Sequence, residues 1–147
     1  MFRLIGIFTV SIALSALMIF VDTKTGNNFV ADFLVNQSLQ LMGVLLGLNL
    51  ATATTLMVGL TNIEFTLKRR IFEPTIQEMK ENILFMVFAF VVDMLLLMAI
   101  EQKFLNVEYG KLLSLTIFLI YLFAFYKMTI AVFSLEVKKR EILTKKS

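Results

Sequence analysis

At 147 residues, 59% of them hydrophobic and 17% charged, the chain is more apolar than a soluble domain, in which roughly half the residues are apolar. Its mean hydropathy is +0.84 and its formal net charge +3, with the charges bunched between long neutral runs, which is the pattern of one small integral membrane domain. Cysteine and histidine are both absent; this removes disulfides, thiol redox chemistry, histidine-ligated haem and most zinc, copper and non-haem iron sites, together with the usual general base and the Cys/His and Ser/His nucleophile pairs.

The chain also lacks a Gly-rich phosphate loop and paired nucleotide-binding glycine motifs. The composition therefore points away from an enzyme, and no cofactor or metal is expected. Arg3 precedes an apolar run from Leu4 to Val21. A signal peptide has the same form, but this run exceeds the usual apolar region of about 7–15 residues. It reads as the first membrane helix. Asp22–Asn28 is a polar turn, with Gly26 and Asn27 as turn formers and Asn28 as an N-cap.

From Phe29 no strong breaker occurs before Glu73-Pro74. The second helix is therefore expected to run about 43 residues, roughly 64 Å at 1.5 Å per residue, against a bilayer core of about 30 Å. It projects beyond the membrane on the side of Lys68, Arg69 and Arg70. Thr75-Ile76-Gln77-Glu78 has the form of a capping box and opens a third helix. Glu101–Lys111 is a second outer turn, a fourth span follows, and the tail is basic. Nothing marks a strand by period-2 alternation. The expected fold class is an all-α membrane protein of one domain with four transmembrane helices, the second long and extending into the cytoplasm. The spans fall at about 4–21, 39–60, 83–100 and 112–133, and 136–147 is a basic cytoplasmic tail.

Four spans place both termini and the middle connection on one side. That side carries Arg3, Lys68, Arg69, Arg70, Lys80, Lys138, Lys139, Arg140, Lys145 and Lys146, against Lys24, Lys103 and Lys111 on the other. The positive-inside rule then puts both termini in the cytoplasm, in an inner membrane if the source is bacterial.

The second span carries the most informative pattern. At 100° per residue, Asn36, Gln37, Gln40, Gly43, Gly47, Ala51, Thr54, Thr55, Thr61 and Asn62 share about one third of its circumference, interrupted by Val44 and Val58. The far side is nearly all Leu and Met, with Asn49 as the exception. Gly43 and Gly47 form a GxxxG, which permits close helix approach. Gln40, Gly43, Gly47, Ala51 and Thr54 are the candidate pore or helix-contact residues. Either the other spans of the same chain cover this stripe, or copies of the chain face one another along it. The remaining spans look like lipid-facing cladding with few polar groups to offer, which favours a homo-oligomer.

Three further polar residues lie inside the membrane: Asn49, Asp93 and Lys127. Counted from the outer edge, Asn49 is about 15 Å deep and Asp93 about 10 Å, so the two can meet if their helices are neighbours. An intramembrane Asp costs about 2.5–3.5 kcal/mol on insertion scales and needs a partner, a proton or water. It reads either as an ion or proton site or as one half of an Asp–Asn bond that fixes helix register. Lys127 lies about 10 Å from the cytoplasmic edge, within reach of snorkelling. On the cytoplasmic face, Lys68, Arg69, Arg70, Lys138, Lys139 and Arg140 either set topology and touch anionic lipid or contact an acidic cytosolic ligand, a nucleotide or oligonucleotide. No specific binding of duplex nucleic acid is expected.

The layout of a short first span, a Gly/Ala/Thr-rich second span ending in Thr61-Asn62-Ile63-Glu64-Phe65, a charged turn and two oily spans resembles the small multi-span membrane effectors of bacterial antiphage defence systems, of the Hailong type. The resemblance implies an oligomeric channel that depolarises the infected cell, controlled by a nucleic-acid-like signal from a partner enzyme. It carries no site residue across. The expected function is a homo-oligomeric membrane channel or pore, an antiphage effector if the resemblance holds, gated by a cytosolic signal. The alternatives are a non-conducting membrane adaptor or assembly subunit, and a small proton-coupled transporter using Asp93.

Overall fold

Gly26 adopts φ +67°, a left-handed conformation open to a residue with no Cβ, and it ends the first helix, α1 (Phe2–Thr25). The computed structural model describes residues 2–67, 72–102, 104 and 106–144, with side chains over 6–65 and 72–137 other than 103 and 105. The second helix, α2, runs continuously over 29–67 as Phe29–Phe33, a π-helical turn Leu34–Ser38 and the long segment Leu39–Leu67. The expected Asn28 side-chain cap is not made: its backbone, at φ −108 and ψ 25, is outside the extended geometry of a side-chain N-cap. Asp22 does the work from the end of α1, its Oδ2 accepting from the Val30 N–H at 3.3 Å.

The third helix, α3 (Glu73–Glu101), begins two residues before the expected capping box, so Thr75–Glu78 lies within it. Pro74 sits in its first turn, where a missing N–H costs nothing. The Phe72 N–H ahead of it donates to Glu64 of α2, which ties the two helix ends together. The fourth helix, α4 (Val107–Thr144), follows a connection shorter than the sequence implies. Asn106 Oδ1 accepts from the Glu108 N–H at 3.0 Å, an effective N-cap, and Gly110 is buried inside the helix rather than in a turn. Residues 136–144 continue α4 as helix.

The windows Gly6–Thr25, Phe29–Phe65, Glu73–Glu101 and Val107–Val137 are each long and apolar enough to cross a membrane. Among the described residues there is no strand. The all-α, four-span architecture with a long second helix is therefore the observed one.

The order of importance among the helices differs from the sequence reading. The helix that packs against all the others is α4, with α3 also against α2. Leu115, Phe118, Tyr121, Ala124, Met128 and Leu135 of α4 are all buried. The fourth span is thus the core of the bundle, not cladding. One apolar cluster joins Val30, Leu34, Met42, Met86, Ala89, Leu115, Phe118 and Tyr121. A second joins Ala53, Leu56, Leu60, Phe72, Met79, Met128 and Leu135 nearer the chain termini. Tyr121 bridges helices with its hydroxyl, which donates to the Met42 carbonyl at 2.5 Å; a buried tyrosine hydroxyl needs such a partner.

Candidate functional site

The two faces of α2 have different fates. Met42, Asn49, Ala53, Leu56 and Leu60 recur at helical spacing and are buried against α3 and α4. The small-polar stripe points nearly the opposite way, and the chain leaves it uncovered. Gln40, Gly47, Ala51, Thr54, Thr55, Thr61 and Asn62 are all exposed, and Gly43 is partly covered. The possibility that the spans of the same chain bury the stripe is thereby overturned for the single chain.

Each stripe residue presents a distinct surface. A Cβ at Gly47 would meet nothing within 4 Å, and one at Gly43 would sit 3.8 Å from Phe90 Cε2. Gly47 is therefore not used for packing inside the chain, and Gly43 only borders Phe90 of α3. Thr54, Thr55 and Thr61 donate their hydroxyl hydrogens to the carbonyls of Leu50, Ala51 and Met57 at 2.7, 2.9 and 2.7 Å. A hydroxyl that donates inward offers its lone pairs outward, so the stripe shows acceptor oxygens. The exposed amide of Gln40 makes no side-chain hydrogen bond among the described residues. Beside the stripe, a groove of about 430 Å³ lies between α2 and α4, lined by Ala51, Thr55, Val132 and Phe133 among others.

The intramembrane polar residues are placed differently from the depth argument. Asn49 and Asp93 do not pair. Asn49 is buried and its Nδ2 donates to Met86 Sδ at 3.3 Å. Asp93 is fully buried and accepts from Ser114 Oγ at 2.6 Å. Its second oxygen, Oδ2, has no partner among the described residues. Asp93 and Ser114, 21 positions apart, are nearly equidistant from the short α3–α4 connection, whereas Asn49 and Met86, 37 apart, lie 18 residues before the end of α2 and 13 residues after the start of α3. Residues equidistant from a turn sit at one level, and Ser114 was findable by that rule. Two further buried hydroxyls, those of Ser15 and Thr116, join α1 to α4 at 3.1 Å. Small side chains at that crossing let the helices approach closely.

Lys127 reaches toward the terminal end of the bundle, its Nζ 3.9 Å from Glu78 Oε1, with both side chains more than half exposed. That is the direction snorkelling predicts. Of the basic candidates, Lys68, Arg69 and Arg70, and the side chains of Lys138, Lys139 and Arg140, lie outside the described residues. No family model, curated protein or solved structure matches the chain. Among the described residues there is no cluster of acidic side chains that could hold a metal.

Proposed function

We propose that the chain assembles with copies of itself into a membrane channel, with the small-polar stripe of α2 beside the conduction path. One observation carries the reading: within a span otherwise fit for lipid, Gln40, Gly47, Ala51 and Thr54 are exposed. A primary amide facing hydrocarbon without a partner is costly. A water-filled path or a neighbouring copy supplies what the chain does not. The outward acceptor oxygens of the threonines favour cations over anions. Gating by an acidic cytosolic ligand, of the nucleotide or oligonucleotide class, accords with the basic residues at the terminal end. An antiphage role accords with the layout of the spans.

Purified protein reconstituted in liposomes is expected to pass cations, with or without an oligonucleotide on the terminal side, and to run as a defined multimer by native mass spectrometry. A monomer that conducts nothing under any trigger would overturn the proposal. The expected orientation has its own test. A reporter active only outside the cytoplasm is expected to be silent when fused after Ser147 and active when inserted at Gly26; the reverse pattern would invert the gating side.

A second reading, a proton-coupled transporter, draws on the unpartnered Oδ2 of Asp93. It predicts solute uptake that depends on a proton gradient and is lost in Asp93→Asn. Flux indifferent to that substitution would remove it.

A further inference from the structure

At the end of the bundle that carries the termini, α1, α3 and α4 enclose a groove of about 410 Å³, within the range of small-molecule sites. Its wall is apolar, with Phe8, Phe85, Ile120 and Phe123, and its rim is polar, with Glu81, Asn82 and Lys127. The two parts are ordered along the helix axes. Phe85 is one helical turn inward from Glu81, and Phe123 and Ile120 are one and two turns inward from Lys127, so the slot runs about 10 Å into the span from a charged mouth.

The rim groups have capacity to spare. Lys127 holds three donors, and its ion pair with Glu78 is long, 3.9 Å, and solvent-exposed. Asn82 is half-buried and its amide makes no side-chain hydrogen bond among the described residues. Glu81 accepts from Gln77 Nε2 at 3.0 Å through Oε1, which leaves Oε2 open. The mouth therefore has one cation, one free amide and the Glu81 carboxylate, with Glu78 just outside the groove beside Lys127.

Those charges select among headgroups. A purely anionic head gains Lys127 but meets Glu78 and Glu81. A choline head carries positive charge but no N–H to donate to a carboxylate. A head with both a phosphate and a primary ammonium satisfies every rim group. We propose that this groove binds one phosphatidylethanolamine molecule, its phosphate on Lys127 and Asn82, its ammonium on Glu78 and Glu81, and an acyl chain along Phe8, Phe85 and Phe123. The site is separate from the α2 stripe and does not depend on what the stripe conducts.

The test is lipid retention by the full chain from nanodiscs of equal phosphatidylethanolamine, phosphatidylglycerol and phosphatidylcholine, read by native mass spectrometry. Phosphatidylethanolamine is expected to be retained at least fivefold over the other two. Lys127→Met and Glu81→Gln should each abolish that preference, and Lys127→Arg should keep it. Because Lys127 and Glu81 are both exposed, these variants are expected to fold, which helicity by circular dichroism checks. Equal retention of the three lipids, a preference for phosphatidylglycerol, or an unchanged preference in Lys127→Met would each overturn the proposal.

Discussion

Gly47→Leu is expected to reduce ion flux at least tenfold while leaving expression, insertion and helicity unchanged. The asymmetry comes from the single-chain structure. A Cβ at Gly47 meets nothing within 4 Å, so the substitution has nothing to strain inside the chain. Its whole effect falls on whatever faces the stripe. In a ring of copies that is either a neighbouring helix, where tight packing tolerates little added volume, or the ion path itself. Asn49→Leu is the contrasting variant. Asn49 faces inward and its side chain makes one hydrogen bond among the described residues, to Met86 Sδ, so its loss is expected to cost about 1 kcal/mol or less and to spare flux. Flux is read in liposomes or by a membrane-potential dye in cells. If Gly47→Leu conducts like the parent, the stripe is not at the path. If it only releases a different protein from a complex, the adaptor reading takes the place of the channel.

The sequence made some features plain and concealed others for physical reasons. The four spans were legible because length and hydropathy are properties of single segments. Gly26 marked the end of α1 because only a glycine adopts φ +67° without cost. The exposed face of α2 was legible from periodicity, since residues at helical spacing share a side whatever the neighbours are. Pairing was harder. Depth counted from an expected span edge misses how far each helix actually extends: Asn49 meets Met86, seven residues or about 10 Å along α3 from Asp93, so Asn49 and Asp93 lie at different levels and take different partners. The centrality of α4 was also concealed, because a helix that is oily all round reads the same in lipid as in a bundle core. Its buried Ser114, Thr116 and Tyr121 were the distinguishing signal: polar groups distributed along a span that had to be covered.

Ser114→Ala is expected to destabilise the chain by about 1–3 kcal/mol, because it leaves the buried Asp93 carboxyl with neither oxygen paired. Asp93 is fully buried, and Ser114 Oγ is the donor it has, at 2.6 Å. Asp93→Leu should behave in the opposite sense. It removes a group with one oxygen already unpartnered, puts an apolar side chain of similar size in an apolar layer, and frees the Ser114 hydroxyl to bond a carbonyl of its own helix, as serines in membrane helices do. The variant is therefore expected to be as stable as the parent or more so. The double variant Asp93→Leu/Ser114→Ala should match Asp93→Leu, since the bond that Ser114 served is gone; this coupling is what a double-mutant cycle reads. Reversible unfolding in mixed micelles measures all four proteins. A neutral Ser114→Ala, or a large loss in Asp93→Leu, would show that the carboxyl rests on a different partner. The same variant separates the two functional readings. Asp93 lies in the α3–α4 interface and not on the stripe, so a channel carried by α2 keeps its flux in Asp93→Leu. A proton-coupled transporter loses gradient-driven uptake in that variant while it retains or gains stability, the trade expected where a buried acid is kept for function rather than for the fold.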